Sequence, residues 1–411
     1  LHFEIRDTKS EHVINPMLFG INIPDSKLPT IQSLLGYPLS EDARINQQNN
    51  SHEISIKHMG NGKYIADRIT ASGTIGFGVH VFDRLDNAWN KNGIYSLEML
   101  VNGKRHYYHD VSTFSFAESK YLNLLIDYSH YKKYKRRIQK TFKENKNELS
   151  IYKGLINNGK INIESGFNYT IEIIAKDIIG NTSSLKIPVI GKKSNAVFKK
   201  QKDTTAYKII ADNFQKFKKE NITIAFPKNT FYQDIYLDFA VDSGVAKVHT
   251  PSIPLNKSYT LTFNVSKYTA QEKEQLYIAN TEYAKYPRYV NTRKKDTTFY
   301  TTTKTLGKYT LKKDSLKPDI KILYIDNKQW ITSAKTLKVK VSDVDSGIKN
   351  WRATIDDSWV LMQYNHKKGV LTYNFSDKIL VGSKHIFKLV LSDNVGNTTE
   401  RSITFFKKQT K

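Results

Sequence analysis

The chain of 411 residues contains no cysteine. That excludes disulfides, thiol catalysis and cysteine-based metal sites, and leaves the redox compartment open. Acidic residues are also short, with 39 Asp and Glu against 64 Lys and Arg, for a formal charge of +25. An excess of this size suits a polyanionic partner. Here, however, the Lys is spread along every segment of a chain rich in Asn and Ile, which reads as compositional bias. No basic helix-turn-helix, zinc-finger or aromatic RNA-binding strand pattern occurs, so nucleic acid is not an expected partner. No apolar run approaches the roughly 18 to 20 residues needed to span a bilayer, so no transmembrane segment is expected. Gly-x-Ser-x-Gly elbows and phosphate-binding glycine loops are missing too, which removes the serine-hydrolase and nucleotide-binding readings.

What the chain has in quantity is aromatic residue, 25 Tyr and 20 Phe, within a hydrophobic content of 39%. That is ample for packed cores and unlike a disordered chain. The length predicts two to four domains.

The opening run Leu1-His2-Phe3-Glu4-Ile5-Arg6-Asp7 alternates with the period of a strand. As a strand it is expected to turn Leu1, Phe3 and Ile5 toward a core and His2, Glu4 and Arg6 to the other face. Asn15-Pro16 and then Met17-Leu18-Phe19-Gly20 follow. This pattern resembles the closing strand of the lysostaphin-type (LytM-type) murein zinc endopeptidases, whose catalytic domain ends His-Leu-His-Phe-Glu-Ile-Arg, a short turn, and Asn-Pro. The resemblance extends from Leu1 to Gly20. It implies that His2 is a zinc ligand and that the His assisting the attacking water stands just before Leu1. It also implies that the remaining ligands, a His and an Asp, lie further upstream. A catalytic zinc needs about three protein ligands and an open position for water. With one ligand and no catalytic residue, the chain is expected to be inactive alone.

The same resemblance implies the carboxyl-terminal part of an exported bacterial zinc metalloendopeptidase that cuts peptidoglycan cross-links. Its location would be the cell envelope, periplasmic or surface. Its partners would be peptidoglycan or another envelope component, with a protein partner possible for the tail. Two alternatives belong to other classes: a non-catalytic envelope adhesin or scaffold with a degenerate peptidase domain, and a calcium-dependent glycan-binding module.

An internal repeat organises the rest. Asp25-Ser26-Lys27-Leu28-Pro29-Thr30-Ile31 recurs as Asp314-Ser315-Leu316-Lys317-Pro318-Asp319-Ile320. Gly93-Ile94 leads to the turn pair Asn102-Gly103 at the same spacing as Gly347-Ile348 leads to Asp356-Asp357. Asn-Gly marks a two-residue hairpin, because both central residues must tolerate positive φ. Each copy closes with Asp-x-x-Gly-Asn-Thr, at Asp177 to Thr182 and at Asp393 to Thr398. Three landmarks in one order predict two immunoglobulin-like β-sandwiches. Gly93 to Gly180 is 87 residues against 49 for Gly347 to Gly396, and the surplus marks a partly helical insertion near residues 113–150.

The expected fold is mainly β, the last strand of a truncated peptidase domain followed by three β-sandwiches. The segments are 1–22, the peptidase remnant; 23–191, the first repeat with its insertion; 192–204, a basic linker; 205–313, another sandwich; and 314–411, the second repeat.

Three further clusters invite functional readings. His106 and His109 sit three apart on a strand and so point to opposite faces, which disfavours joint chelation. Asp83 to Asn92 is dense in oxygen donors, but Asp and Asn are also default turn formers. Asp343, Asp345 and Ser346 hold the equivalent turn with fewer oxygens, which favours the plain turn. Tyr128, Tyr131 and Tyr134 share one helical face in a basic run, expected to pack on its own sandwich with Lys and Arg in solvent. Ser115 with Glu118, and Thr269 with Glu272, are candidate capping boxes.

Overall fold

The computed structural model describes residues 3–21, 23–193, 204–283, 285, 287–331 and 333–408. The basic run at 194–203 and His2 lie outside them. The chain divides into two compact units, residues 1–211 with 229–236 and 251–256, and residues 212–228, 237–250 and 257–411. It is mainly β, with 49% of residues in strands and 8% in helix, so helix is confined to short connecting pieces.

In the first unit the repeat forms a sandwich. Strand Asn168–Lys176 alternates as its sequence requires: Ile171, Ile173 and Ala175 are fully buried, while Glu172 and Ile174 turn outward. It pairs antiparallel with Ser96–Val101 on one side and Thr182–Gly191 on the other. Facing it, the long strand Ile69–Phe82 pairs with Thr30–Pro38. Phe77, Val79, Leu97, Met99, Leu185 and Ile187 fill the space between, each contributing about 1.5 to 3 kcal/mol by leaving water. Asn102 and Gly103 take φ of 50° and 79°, the hairpin turn that their sequence demands.

The insertion comprises a 3-10 turn at Phe116–Tyr121 and short helices at Leu122–Leu125 and Tyr128–Tyr134. It then returns as strand Gln139–Lys140 against Gly78 and Val79. Two glycines make room for this crossing. A Cβ at Gly76 would meet Phe142 at 2.5 Å, and one at Gly78 would meet Ile138 at 2.8 Å. Ser115 caps the 3-10 turn through Ala117 N–H, but Glu118 accepts from Ser150 N–H instead of closing a box. The longer-range partner ties the two ends of the insertion together. Thr269 and Glu272 do form the reciprocal box.

The opening residues build a separate three-stranded sheet that begins only at Ile5, and Phe3, expected to face a core, is 68% exposed. Ile5–Arg6 pairs with Val13–Ile14, which pairs in turn with Thr113–Phe114 of the insertion. Asn15 caps the following 3-10 turn, Pro16–Phe19, by accepting from Met17 N–H.

The second unit holds two sandwiches. In one, Gln215–Lys219, Ile222–Phe226, Tyr259–Asn264, Thr298–Thr303 and Arg293–Lys295 form one sheet. Phe239–Asp242, Val245–Val248, Gly307–Lys313, Leu276–Asn280 and Arg288–Tyr289 form the other. The last sandwich sets Asp319–Leu323, Thr336–Ser342, Val370–Asn374 and Gln363–Asn365 against Ile348–Ile355, Lys384–Asp393 and Thr398–Phe406. Leu337, Val339, Leu371, Phe387, Leu389 and Phe405 form its core. Asp356 and Asp357, at φ 49° and 59°, repeat the hairpin of the first copy.

Candidate metal centres

Each repeat closes upon itself through the same contacts. In the first, Asn181 Nδ2 donates to the Asp25 carbonyl at 3.1 Å and Ser183 Oγ to the Pro29 carbonyl at 2.6 Å. In the last, Asn397 Nδ2 donates to the Asp314 carbonyl at 3.3 Å and Thr399 Oγ1 to the Pro318 carbonyl at 2.5 Å. The closing landmark thus grips the opening one. Both carry an aspartate, and a third aspartate arrives at the end of a core strand, Asp83 after Phe82 and Asp343 after Ser342.

The outcome is two acid triads, Asp25–Asp83–Asp177 and Asp314–Asp343–Asp393, with carboxylate oxygens within 4.8 Å of one another in each. Asp177 and Asp393 cap their own turns. Asp177 Oδ1 accepts from the N–H groups of Ile179, Gly180 and Asn181, and its Oδ2 from Asn181 Nδ2. Asp393 repeats this with Val395, Gly396 and Asn397. Asp25 accepts from Lys27 N–H, and Asp314 from the N–H groups of Leu316 and Ser346. The third member differs: Asp83 is 4% exposed, and its Oδ1 is buried without a hydrogen-bond partner. Asp343 Oδ2 is likewise buried and unpartnered, although its Oδ1 accepts from Asp345 and Gly347 N–H.

The electrostatics follow the geometry. Burial, reinforced by Asp25 and Asp177, pushes the Asp83 carboxyl up to about 6. Burial, with Asp314 and Asp393 adding to it, also raises Asp343. The Lys27 ammonium goes to the Leu85 carbonyl, at 2.9 Å.

Comparison with known proteins adds one family. Residues 206–314 match the Zu5-like domain. No curated protein matches the chain. Among solved structures, it is similar to the endo-beta-1,4-mannanase from Thermotoga petrophila at 13% identity and TM-score 0.20, over 24% of this chain and 21% of that one. It is similar to the CbhA fibronectin(III)-like modules of Clostridium thermocellum at 9% identity and TM-score 0.19, over 87% and 94%. The Bacteroides ovatus SGBP-B, solved with a mixed-linkage heptasaccharide, is similar at 8% identity and TM-score 0.16, over 90% and 71%. At such TM-scores these likenesses carry no argument about this chain.

His2 is not among the described residues. Within those residues, neither cluster able to hold a metal contains a histidine, and an all-aspartate set does not suit a catalytic zinc, which takes chiefly nitrogen and sulfur donors. His106 and His109 part company. His106 Nε2 donates to the Lys160 carbonyl at 2.9 Å, while His109, buried and held by burial at about 4, shares a 2.8 Å hydrogen bond with the Tyr107 hydroxyl.

Of the Asp83–Asn92 loop, only Asp83 joins a triad. Asp86 instead accepts from Ser26 N–H and Oγ. Tyr128 and Tyr131 are half-buried and Tyr134 is exposed. Each ring carries a cation, Lys132, Arg137 and Lys133 respectively, at 5.8, 5.1 and 4.9 Å. Among the described residues no helix is long and apolar enough to cross a membrane.

Proposed function

We propose that this chain is the β-sandwich tail of an exported zinc endopeptidase that acts on peptidoglycan cross-links in a bacterial cell envelope. In this reading His2 contributes one ligand to the parent's metal, and the tail itself performs no chemistry. The observation that carries it is the opening motif, Leu1 to Arg6 with Asn15-Pro16, followed by a hairpin that pairs with Thr113–Phe114 of the first sandwich's insertion. Asn15 N–H donates to the Ser112 carbonyl at 2.9 Å, and Thr113 Oγ1 to the Val13 carbonyl at 2.9 Å. The Arg6 guanidinium lies 5.4 Å from the centre of the Phe116 ring. A catalytic domain ending in this hairpin would be held in a set orientation to the first sandwich.

The test is sedimentation of the purified chain with peptidoglycan sacculi, with released muropeptides measured in the same tubes. The proposal expects the chain in the pellet and no muropeptide release. A chain that stays in the supernatant removes the wall as partner and favours a scaffold that binds a protein. Release of muropeptides by this chain alone contradicts the assignment of the chemistry to other residues.

A further inference from the structure

We propose that Asp25, Asp83 and Asp177 hold one divalent cation of the calcium class, and that Asp314, Asp343 and Asp393 hold a second. This goes beyond the envelope-tail reading and stands independently of it. In each triad the carboxylate oxygens lie within 4.8 Å of one another. Calcium–oxygen distances of about 2.3 to 2.6 Å let one ion touch all three. The donors are all hard oxygens, and calcium's remaining positions can be taken by water and main-chain carbonyls.

A structural role as turn caps explains Oδ1 of Asp177 and of Asp393, which takes three N–H donors, while Oδ2 takes a single amide donor and keeps a lone pair for a cation. It does not explain the third aspartate of each set. Asp83 is 4% exposed and its Oδ1 meets no donor, although it sits among two other carboxylates. A buried carboxylate oxygen left without a donor is unfavourable, and natural folds supply it a partner. Asp343 is half-buried, and its Oδ2 is likewise buried without a donor in the other copy.

The recurrence matters because the loops between are unrelated. From Asp83 the chain takes ten residues to reach Gly93, whereas Asp343 is followed by Gly347 after four. The two loops differ in length and composition, yet the acid geometry is kept. Each cation would join the segment entering a sandwich, the end of a core strand and the turn before the last strand. Without it the entering segment is held only by hydrogen bonds such as Asn181 to Asp25.

The experiment is equilibrium dialysis of the full chain against calcium after treatment with EDTA, alongside melting curves with calcium or magnesium. The expected result is two calcium ions bound per chain at about millimolar free calcium. Melting should shift upward by several degrees with calcium and less with magnesium, which demands a tighter octahedral shell. Asp83→Asn should remove one bound ion and Asp83→Asn with Asp343→Asn both. The native chain alone keeps the question decidable if a variant fails to fold. Calcium binding that is undetectable at 5 mM free ion (about five times the millimolar range expected of extracellular sites), or unchanged in the folded double variant, overturns the proposal.

Discussion

Replacing Asp393 separates its role as a turn cap from its role toward a cation. Its Oδ1 accepts three main-chain N–H groups at 3.0, 2.7 and 2.8 Å, and the residue is fully buried. Hydrogen bonds to a charged acceptor contribute about 1.5 to 3 kcal/mol each where water cannot replace the acceptor. Gly396 is exposed and can rehydrate, so the Val395 and Asn397 bonds dominate. In EDTA, Asp393→Ala should therefore cost about 4 kcal/mol. At a urea slope of about 1.5 kcal/mol/M, the midpoint falls by roughly 3 M. Asp393→Asn keeps an acceptor oxygen but sets its amide against Asn397 Nδ2, and should cost less, about 1 to 2 kcal/mol. Tryptophan fluorescence is the natural readout. Trp351, half-buried in the last sandwich, is the reporter, since Trp330 and Trp359 are mostly exposed and Trp89 is 96% exposed. A midpoint shift under about 0.5 M for the alanine variant, or equal shifts for both variants, would refute the reasoning.

Gly191→Ala places a Cβ 1.9 Å from the Glu164 carbonyl oxygen, a contact only backbone movement can relieve, so calorimetry should show the first sandwich destabilised by about 3 kcal/mol or more. His109 is held at about 4, below its ordinary value, by burial; its contribution is complete above about pH 6.5 and is lost as pH falls through about 4. Acid should therefore remove up to about 3 kcal/mol through this group, and His109→Gln should flatten that part of the calorimetric pH profile. Val13→Pro breaks the strand that joins Ile5–Arg6 to Thr113–Phe114. Limited proteolysis should then cut within residues 7–20 several-fold faster while the sandwiches stay intact, and an unchanged cleavage rate counts against docking of the hairpin.

The two sandwiches were legible because their landmarks are local. Asn102-Gly103 and Asp356-Asp357 name their turn by the positive φ they require, and the Asp-x-x-Gly-Asn-Thr runs cap themselves within five residues. The triads were not legible as sites, because Asp25, Asp83 and Asp177 meet only when the sheets close. A signal was nevertheless present: two of the three aspartates in each set stand inside the repeated motifs, and the third ends a core strand. Within the plain turn read at Asp83 to Asn92 the one inward member went unseen, because Asp86 serves Ser26 while Asp83 turns inward. The Ser115–Glu118 box failed for a related reason, since Glu118 found its donor at Ser150, far along the chain.

The zinc content of the chain produced with whatever coding sequence adjoins Leu1 in its gene, compared with the same product carrying His2→Ala, tests the proposed function most directly. The account predicts one tightly held zinc and murein hydrolysis in the former, and loss of both in the latter. Full zinc and full hydrolysis in the His2→Ala product, or neither in the unaltered one, would contradict it.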